Sequence, residues 1–590
     1  IGKHGTFAAD VVLPADARYG TWSVDATFTD RGEEHHAQAS FRVAVYEPGR
    51  TTGDLALKGE HLLPGAELKA NVSASWLSGG PLRDAKVELR AMGSRSTFVP
   101  SGWADFGFGD DVEDVGTDHA PIAEFEHAVT GVINAKGEVA LVIPAGPVIR
   151  VAQRLTVEAT ITDPSGRSLN RLASAWLQPN ERVAGVAVAS RVARATELVD
   201  IDVASVGLDG KVDAAGKLEV VLSRRSWKTI RAEQVGGTWS WQTTVEEKEI
   251  ARCDPTATTE PGARPGIRRC TFRPEQAGMY VIAATATDPA GRSRRTREVF
   301  WVSGSDSVDW PDEGERAELL VADKAHYSPG ETAKILVKNP LPGALALVTV
   351  DRGGVRSERV VKMAGSTETI DVPITRAYRP NVFVSVVLFR GRLQQGAPAG
   401  LDLGAPALKI GVVELRVDAS GALLDVKVDA PTRRFGPGET IELSAVVRGK
   451  DGLPRDAEVA LLVVDEGVLA LTGYTTPNPF THLYADHTAG VTDYALSGQL
   501  VRRRVGEEKG DMGGGGDSAG PLLRGDFRDL AFYAPALQTD GQGRVKARFK
   551  LPDNLTAYRV MAIAVAGAEE AGAGEGVVRV GKPLMVMPRL

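Results

Sequence analysis

A tight turn followed by a β-strand recurs along this chain at intervals that match one small β domain. In two copies of this repeat the turn glycines, Gly330 and Gly438, are 108 residues apart. A second repeat, T-D-P-x-G-R, predicts hairpin turns, and its two aspartates, Asp163 and Asp288, are 125 residues apart. Proline fixes φ and the glycine after it tolerates positive φ, so each Pro-Gly copy predicts a turn that feeds a strand. A seven-stranded antiparallel sandwich needs about 100 residues. The spacing therefore predicts a tandem array of such sandwiches. The three copies of the first repeat are 63–69, 327–334 and 435–442.

Between the turns, apolar and polar residues alternate over five to nine positions, as in 218–222, 280–286 and 423–428. Alternation with period two indicates strands with one buried face, and helical periodicity of useful length is nearly absent. We therefore expect an all-β fold. The net charge of −7 with 43% hydrophobic and 25% charged residues indicates an ordinary surface. No partner class follows from the charge, and we expect no nucleic-acid partner. No apolar run approaches the roughly 18 residues that a membrane-spanning helix requires.

One segment, from about Arg502 to Asp529, interrupts this β pattern. It combines four consecutive glycines with basic, acidic and apolar residues, and it has no apolar periodicity. Such a composition predicts a flexible, exposed loop, the kind of segment that proteases cut first. A plain linker or surface loop is the alternative interpretation. Candidate cleavage residues are Arg502, Arg503, Arg504, Glu507, Glu508, Lys509, Leu522, Leu523, Arg524 and Arg528.

Three motifs occur in order around this segment. They are V-D-E-G-V-L-A-L-T-G-Y at 464–474, L-P-D-N-L-T-A-Y-R-V-M-A at 551–562, and V-R-V-G-K-P-L-M-V at 578–586. With these motifs the chain resembles the bacterial α2-macroglobulin family. The resemblance is strongest over about 313–590, and before that it depends mainly on the rhythm of the domains.

The resemblance implies macroglobulin-like sandwiches, similar to fibronectin type III domains, with a flexible bait region inserted in the last complete one. The chain would then be a fragment of a longer protein. The expected units are 1–47 as the closing strands of a first domain, 48–180, 181–311 and 312–411 as complete sandwiches, 412–582 as a sandwich split by a bait insert at about 475–530, and 583–590 as the start of another domain.

The resemblance also implies a function: a broad-spectrum protease inhibitor that traps endopeptidases. A target protease cleaves the bait region, and the molecule then rearranges. Many members capture the protease with a thioester, but the C-x-E-Q motif is absent from these 590 residues. By the same analogy we expect a periplasmic or cell-envelope lipoprotein, anchored in the inner membrane through residues outside this chain, with a penicillin-binding protein as a further partner.

The two cysteines, Cys253 and Cys270, predict a disulfide within one sandwich, although two buried free thiols remain an alternative. The nine histidines do not cluster near the cysteines, and we expect neither a metal nor a cofactor. The pattern G-x-S-x-G at Ser518 follows glycines instead of a strand, so we expect no catalytic residue and no enzyme activity. A non-inhibitory adhesin or structural array of the cell envelope is the alternative function.

Overall fold

A computed structural model of the protein shows a nearly all-β chain, as the alternation predicted. The chain divides into two compact units: unit 1 comprises Ile1–Gly49, Asp418–Asp486 and Val501–Leu590, and unit 2 comprises Arg50–Val417 and His487–Leu500. None of the described helices is long and apolar enough to cross a membrane. The structure describes residues 2–8, 13–14, 17–30, 33–43, 51–76, 80–110, 125–144, 149, 151–233, 239–258, 264–310, 318–341, 343–393, 406–466, 468–469, 474–489, 530–553 and 556–581.

The amino-terminal part of unit 1 is an antiparallel hairpin of β1 (Gly20–Asp30) and β2 (Glu33–Val43). The rings of Trp22 and Phe41 stack on one side of it, with centroids 6.5 Å apart. These two strands lie within the range 1–47 that was expected to contain the last strands of a domain.

Sandwich 1 is the first of three sandwiches in unit 2. Its sheets have the strand orders β3-β5-β8 and β4-β10-β9-β6-β7. Alternate residues of β5, from Leu68 to Ala74, point into the core between the sheets. The strands are β3 (Thr51–Lys58), β4 (His61–Leu62), β5 (Leu68–Trp76), β6 (Lys86–Arg95), β7 (Glu126–Val132), β8 (Glu138–Ile143), β9 (Gln153–Thr162) and β10 (Ser168–Leu177).

Sandwich 2 has the strand orders β11-β13-β17-β16 and β12-β19-β18-β14-β15. Cys253 at the end of β15 and Cys270 in β17 form a disulfide, with their Cα atoms 6.0 Å apart. Since β15 and β17 belong to different sheets, this bond joins the two layers. The strands are β11 (Arg182–Val188), β12 (Val192–Arg194), β13 (Val199–Gly207), β14 (Lys217–Glu233), β15 (Trp239–Cys253), β16 (Thr256–Ala257), β17 (Arg268–Phe272), β18 (Gly278–Thr287) and β19 (Ser293–Ser303).

Sandwich 3 has the strand orders β20-β22-β25 and β21-β27-β26-β23-β24. A single-turn 3₁₀ helix (Arg376–Tyr378) precedes β26. The strands are β20 (Leu320–Ala322), β21 (His326–Tyr327), β22 (Thr332–Lys338), β23 (Leu345–Asp351), β24 (Val355–Lys362), β25 (Thr367–Pro373), β26 (Asn381–Arg390) and β27 (Ala407–Val417).

The boundary expected between residues 411 and 412 is wrong, because it falls inside β27, which pairs with β26 along its whole length. Gly411 lies within this strand. Its actual role is close packing: a Cβ at this position would lie 2.7 Å from Cβ of Leu319. The preceding sandwich therefore extends to Val417.

Sandwich 4 lies in unit 1 and has the strand orders β28-β30-β33 and β29-β35-β34-β31-β32. A 3₁₀ turn (Ser420–Ala422) precedes it, and a short helix, α1 (Pro479–Leu483), lies between β31 and β32 in the chain. The strands are β28 (Asp425–Asp429), β29 (Arg434–Phe435), β30 (Thr440–Arg448), β31 (Glu458–Asp465), β32 (Leu530–Gln538), β33 (Arg544–Lys550), β34 (Ala557–Ala566) and β35 (Glu570–Val580).

The expected seven antiparallel strands require a correction in every sandwich. Across the described residues, the first strand is interrupted, and its short second part crosses to the five-stranded sheet, where it pairs in parallel with the last strand. In sandwich 1 the break lies at Gly59, which has a φ of 101°, a value that glycine adopts readily and most other residues do not. The described parts of sandwiches 1, 3 and 4 thus contain eight strands, and that of sandwich 2 contains nine.

The repeated turns have the predicted roles. Each Pro-Gly turn follows the short parallel strand, and Glu331 closes one of them by accepting a hydrogen bond from the backbone N–H of Ser328 at 3.0 Å. The Asp turns join β9 to β10 and β18 to β19 as hairpins. In the second of these, Asp288 accepts backbone hydrogen bonds from Ala290 at 3.0 Å and from Arg292 at 2.9 Å.

Candidate functional site

The segment that interrupts the β pattern is inserted between two neighbouring strands of one sheet. It follows β31 and precedes β32, and these strands pair antiparallel, so that Val464 lies opposite Leu530. β32 is the edge strand of this sheet in the described structure. The two ends of the insertion are therefore adjacent, and each is attached to the sheet independently of the chain between them.

The candidate cleavage residues lie outside the described residues. This applies to all ten: Arg502, Arg503, Arg504, Glu507, Glu508, Lys509, Leu522, Leu523, Arg524 and Arg528. Their susceptibility to proteases stays a prediction from the sequence.

The first part of the range assigned to the insert has a defined conformation, which corrects the expectation of a flexible segment beginning near residue 475. We call residues 474–486 the strap. It contains α1, which begins where the sequence provides a cap: the Asn478 side chain accepts a hydrogen bond from the N–H of Phe480 at 3.0 Å, and Pro479 occupies the first helical position. The N-P-F sequence was the local signal for this helix, and the strand-based interpretation missed it.

The strap lies on the outer face of the five-stranded sheet of sandwich 4. Helix α1 contacts β34 and β35. In β34, Val560 and Ala562 point into the core, so alternation directs Met561 to the outer face, yet Met561 is only 1% exposed. Tyr484 completes this attachment, because its hydroxyl donates to the backbone carbonyl of Glu569 at 2.9 Å. The strap is thus packed against the sheet and hydrogen-bonded to it.

Arg559 connects the two motifs on either side of the insertion. It lies on β34, and its Nε donates to the Glu466 carboxylate at 2.9 Å, while a second guanidinium nitrogen donates to the other carboxylate oxygen. Its Nη1 donates to the carbonyl oxygen of Tyr474 at 3.0 Å and lies 3.8 Å from Glu575. One side chain therefore holds the residue that follows β31, the first residue of the strap and a carboxylate of β35.

The electrostatics of this cluster favour a persistent ion pair. The Arg559 side chain is 18% exposed and that of Glu466 is 35% exposed, so the pair is partly shielded from water. The hydrogen bonds that Arg559 donates to Glu466 raise the pKa of the guanidinium above its ordinary value. A two-pronged guanidinium–carboxylate contact also has a fixed geometry, which a single ammonium group would lack.

Two threonines extend the cluster. Thr476 of the strap donates its hydroxyl proton to Glu575, the same carboxylate that lies near Arg559. Thr556 donates to Asp465 at 2.9 Å, and so joins the end of β31 to the chain that enters β34. The order of the two motifs in the sequence does not predict that their polar residues contact one another.

Residues beyond the strap are described as far as residue 489. Within unit 2, the side-chain amide of Asn381 forms two hydrogen bonds with the backbone of His487, donating to its carbonyl and accepting from its N–H, both at 2.9 Å. The Asn381 side chain is fully buried. This pairing fixes the backbone of His487 at the start of β26.

In the part of the chain that the structure describes, no group of three or more His, Cys, Asp or Glu side chains is arranged to hold a metal ion. Ser518 lies outside the described residues.

Comparison with protein families places two matches on either side of the insertion. Residues 318–471 match the alpha-2-macroglobulin bait region domain, and residues 530–590 match the alpha-2-macroglobulin family. Over both ranges the chain is similar to the α2-macroglobulin family. The resemblance predicted from the three motifs is confirmed.

Curated relatives of this chain come from several bacteria. An alpha-2-macroglobulin homolog of Nostoc sp. is 26% identical over 602 residues, covering 99% of this chain and 30% of the relative. A homolog from Deinococcus radiodurans is 31% identical over 321 residues, covering 54% of this chain and 29% of the relative. The chain thus spans about a third of the length of these relatives.

Solved structures of the same family also resemble it. The native conformation of Escherichia coli alpha-2-macroglobulin matches 98% of this chain and 36% of that protein, with 20% identity and a TM-score of 0.42. The trypsin-activated form of the E. coli protein matches 98% of this chain and 38% of that protein, with 19% identity and a TM-score of 0.48.

Proposed function

We propose that this chain carries the protease-sensing part of an endopeptidase trap. In this proposal a target protease cuts the insertion between residues 490 and 529, and the cut initiates inhibition by the whole protein. The family consists of protease inhibitors instead of catalytic enzymes, and this chain would supply a substrate segment and its scaffold, with no catalytic group.

The observation that carries the proposal is the position of the insertion. It lies between the family's bait region domain, which ends at residue 471, and the next family match, which begins at residue 530. Its sequence offers cleavage sites to proteases of three specificities: basic residues, a pair of glutamates at 507–508 and a pair of leucines at 522–523. Breadth of recognition follows from this mixture.

The scaffold explains how a cut could act without destroying the domain. The chain before the insertion is held by the strap and Arg559, and the chain after it is held by β32 in the sheet. A cut within 490–529 would remove the covalent link between two ends that remain attached. The local bond break would then relieve a constraint on a metastable arrangement of the protein while the sandwiches survive.

Brief digestion of the folded chain with small amounts of trypsin, elastase and a Glu-specific protease, in separate reactions, tests the proposal. Trypsin and elastase are suitable because the E. coli relative has been solved in forms activated by each. The first cuts, mapped by mass spectrometry, are expected between residues 490 and 529 for all three enzymes. A matched variant with Arg502, Arg503, Arg504, Lys509, Arg524 and Arg528 replaced by Gln should lose the tryptic first cuts in this segment and keep those of the Glu-specific enzyme.

Scattered first cuts, or protection of 490–529, would contradict the proposal and favour the alternative, a non-inhibitory β-sandwich array of the cell envelope. Such an array requires no preferred cleavage segment. Its strands and turns would resist all three proteases to a similar extent.

The cellular setting is part of the proposal. A disulfide between Cys253 and Cys270 suits an oxidising compartment such as the periplasm. The lipid anchor and the penicillin-binding protein partner stay predictions from the family resemblance. Since the C-x-E-Q motif is absent from the 590 residues, covalent capture is not proposed for this chain.

A further inference from the structure

We propose that Arg559 is a positioning residue that locks the strap, residues 474–486, onto sandwich 4 and thereby keeps protease cleavage out of the strap. The inference rests on the proposed function, since it concerns where a protease cuts first. It concerns contacts within unit 1 alone.

The strap would otherwise be a good protease substrate. It is a long connection that contains aromatic residues suited to a chymotrypsin-like enzyme, and Tyr474 is 44% exposed and Leu483 is 47% exposed. All of its residues from Tyr474 to Asp486 are exposed or only partly buried. Exposure alone would place this segment among the preferred sites of cleavage.

A protease must draw several residues of its substrate out in an extended conformation, and the contacts of the strap oppose this. The carbonyl of Tyr474 is held by Arg559 at 3.0 Å, the Thr476 hydroxyl is held by Glu575, and the Tyr484 hydroxyl is held by the carbonyl of Glu569 at 2.9 Å. These three anchors are spread along the strap, so any cut inside it requires at least one of them to open.

Arg559 is the central anchor because it acts at both ends of the connection from β31. Its fork to Glu466 fixes the chain that leaves the strand, and its third contact fixes the chain that enters the strap. It also lies near Glu575, which holds Thr476. Loss of the guanidinium would therefore leave the Tyr474 carbonyl, the Glu466 carboxylate and the Glu575 carboxylate without this shared partner.

The size of the effect follows from local opening. When opening and closing are fast, cleavage depends on the population of the open form. Removing a charge-assisted hydrogen bond raises that population on the order of tenfold or more. We expect Arg559→Ala to raise the rate of chymotryptic cleavage within 474–486 on the order of tenfold, and Arg559→Lys, which keeps the charge but not the fork, to give an intermediate rate.

To test this, the full chain is digested briefly with chymotrypsin and the first cuts are mapped by mass spectrometry. The Tm of each variant is also measured. Arg548→Ala is the matched control, since Arg548 is an exposed arginine on β33 of the same sandwich. Wild type and the control should be cut in 490–529 with the strap intact. The Arg559→Ala variant should gain cuts between Tyr474 and Asp486 at an unchanged rate in 490–529.

A second variant separates positioning from folding. Thr476→Val with Tyr484→Phe removes two anchors and leaves Arg559 in place, and it should raise strap cleavage several-fold with a Tm close to that of wild type. If strap cleavage stays at the wild-type rate in both variants, or rises equally in Arg548→Ala, the inference is wrong. If wild type itself is not cut first in 490–529, the proposed function fails instead, whatever the strap does.

Discussion

The disulfide of sandwich 2 leads to a quantitative prediction about stability. Cys253 and Cys270 are 17 residues apart in sequence and join β15 to β17 across the two sheets. In the chain-entropy model a closed loop of this size stabilises the folded state by about 3 kcal/mol, because it restricts the unfolded chain. For a domain of this size, a change of 1 kcal/mol moves Tm by about 3 °C. Reduction should therefore lower the Tm of sandwich 2 by about 10 °C.

Differential scanning calorimetry of the full chain, with and without a phosphine reductant, measures this shift. The variant Cys253→Ala with Cys270→Ala should unfold at the lower temperature under both conditions, which controls for effects of the reductant on other sandwiches. Thiol titration of the wild type confirms that reduction is complete. A shift of the reduced wild type below about 3 °C, or a further shift of the double variant on adding reductant, would refute the reasoning.

Two further substitutions test the packing and the turns. In sandwich 4, a Cβ at Gly574 would lie 2.0 Å from the backbone oxygen of Val426 in the opposite sheet, so Gly574→Ala should destabilise the sandwich by about 2 kcal/mol or more. The control Gly541→Ala, at a position with open space around it, should leave the stability unchanged, and equal Tm values for the two variants would contradict this close approach. In sandwich 2, burial tends to raise the pKa of Asp288, but the hydrogen bonds that it accepts, chiefly from Arg292, hold that pKa below its ordinary value. The stabilisation by Asp288 should therefore be present above about pH 4 and lost as the pH falls through the lowered pKa. The variant Asp288→Ala should have a lower Tm than wild type at pH 7, and this difference in Tm should become smaller toward pH 3; a Tm difference that does not change with pH would contradict the prediction.

Local patterns in the sequence were sufficient to predict the strands and many of the turns. The alternating segments 218–222 and 280–286 lie in β14 and β18, and the segment 423–428 leads into β28. The Asp turns at 163 and 288 are hairpins, as their T-D-P-x-G-R sequences predicted. Each of these features depends on residues that are close in sequence, namely on side-chain alternation and on the conformational limits of Pro, Gly and Asp.

The errors arose where distant residues decide the structure. A domain boundary was expected after Gly411, but this residue lies inside β27, and Leu319, far away in sequence, packs so closely that no side chain fits there. The crossing of each first strand to the second sheet depends on the last strand of the sandwich, which accepts it in parallel. No local pattern carries this information.

In the candidate site, too, some features follow from the local sequence and others only from contacts between distant residues. The sequence determined by itself that the chain is a series of β-sandwiches with a family signature around an unusual insertion, because composition, period and motif order are properties of the chain alone. Only the tertiary structure decided that the ends of the insertion are neighbours in one sheet, that residues 474–486 lie on that sheet, and that Arg559 contacts both Glu466 and Tyr474. The physical reason is that a guanidinium hydrogen bond acts over about 3 Å in space, and the fold brings together groups that are 93 and 85 residues apart in the chain.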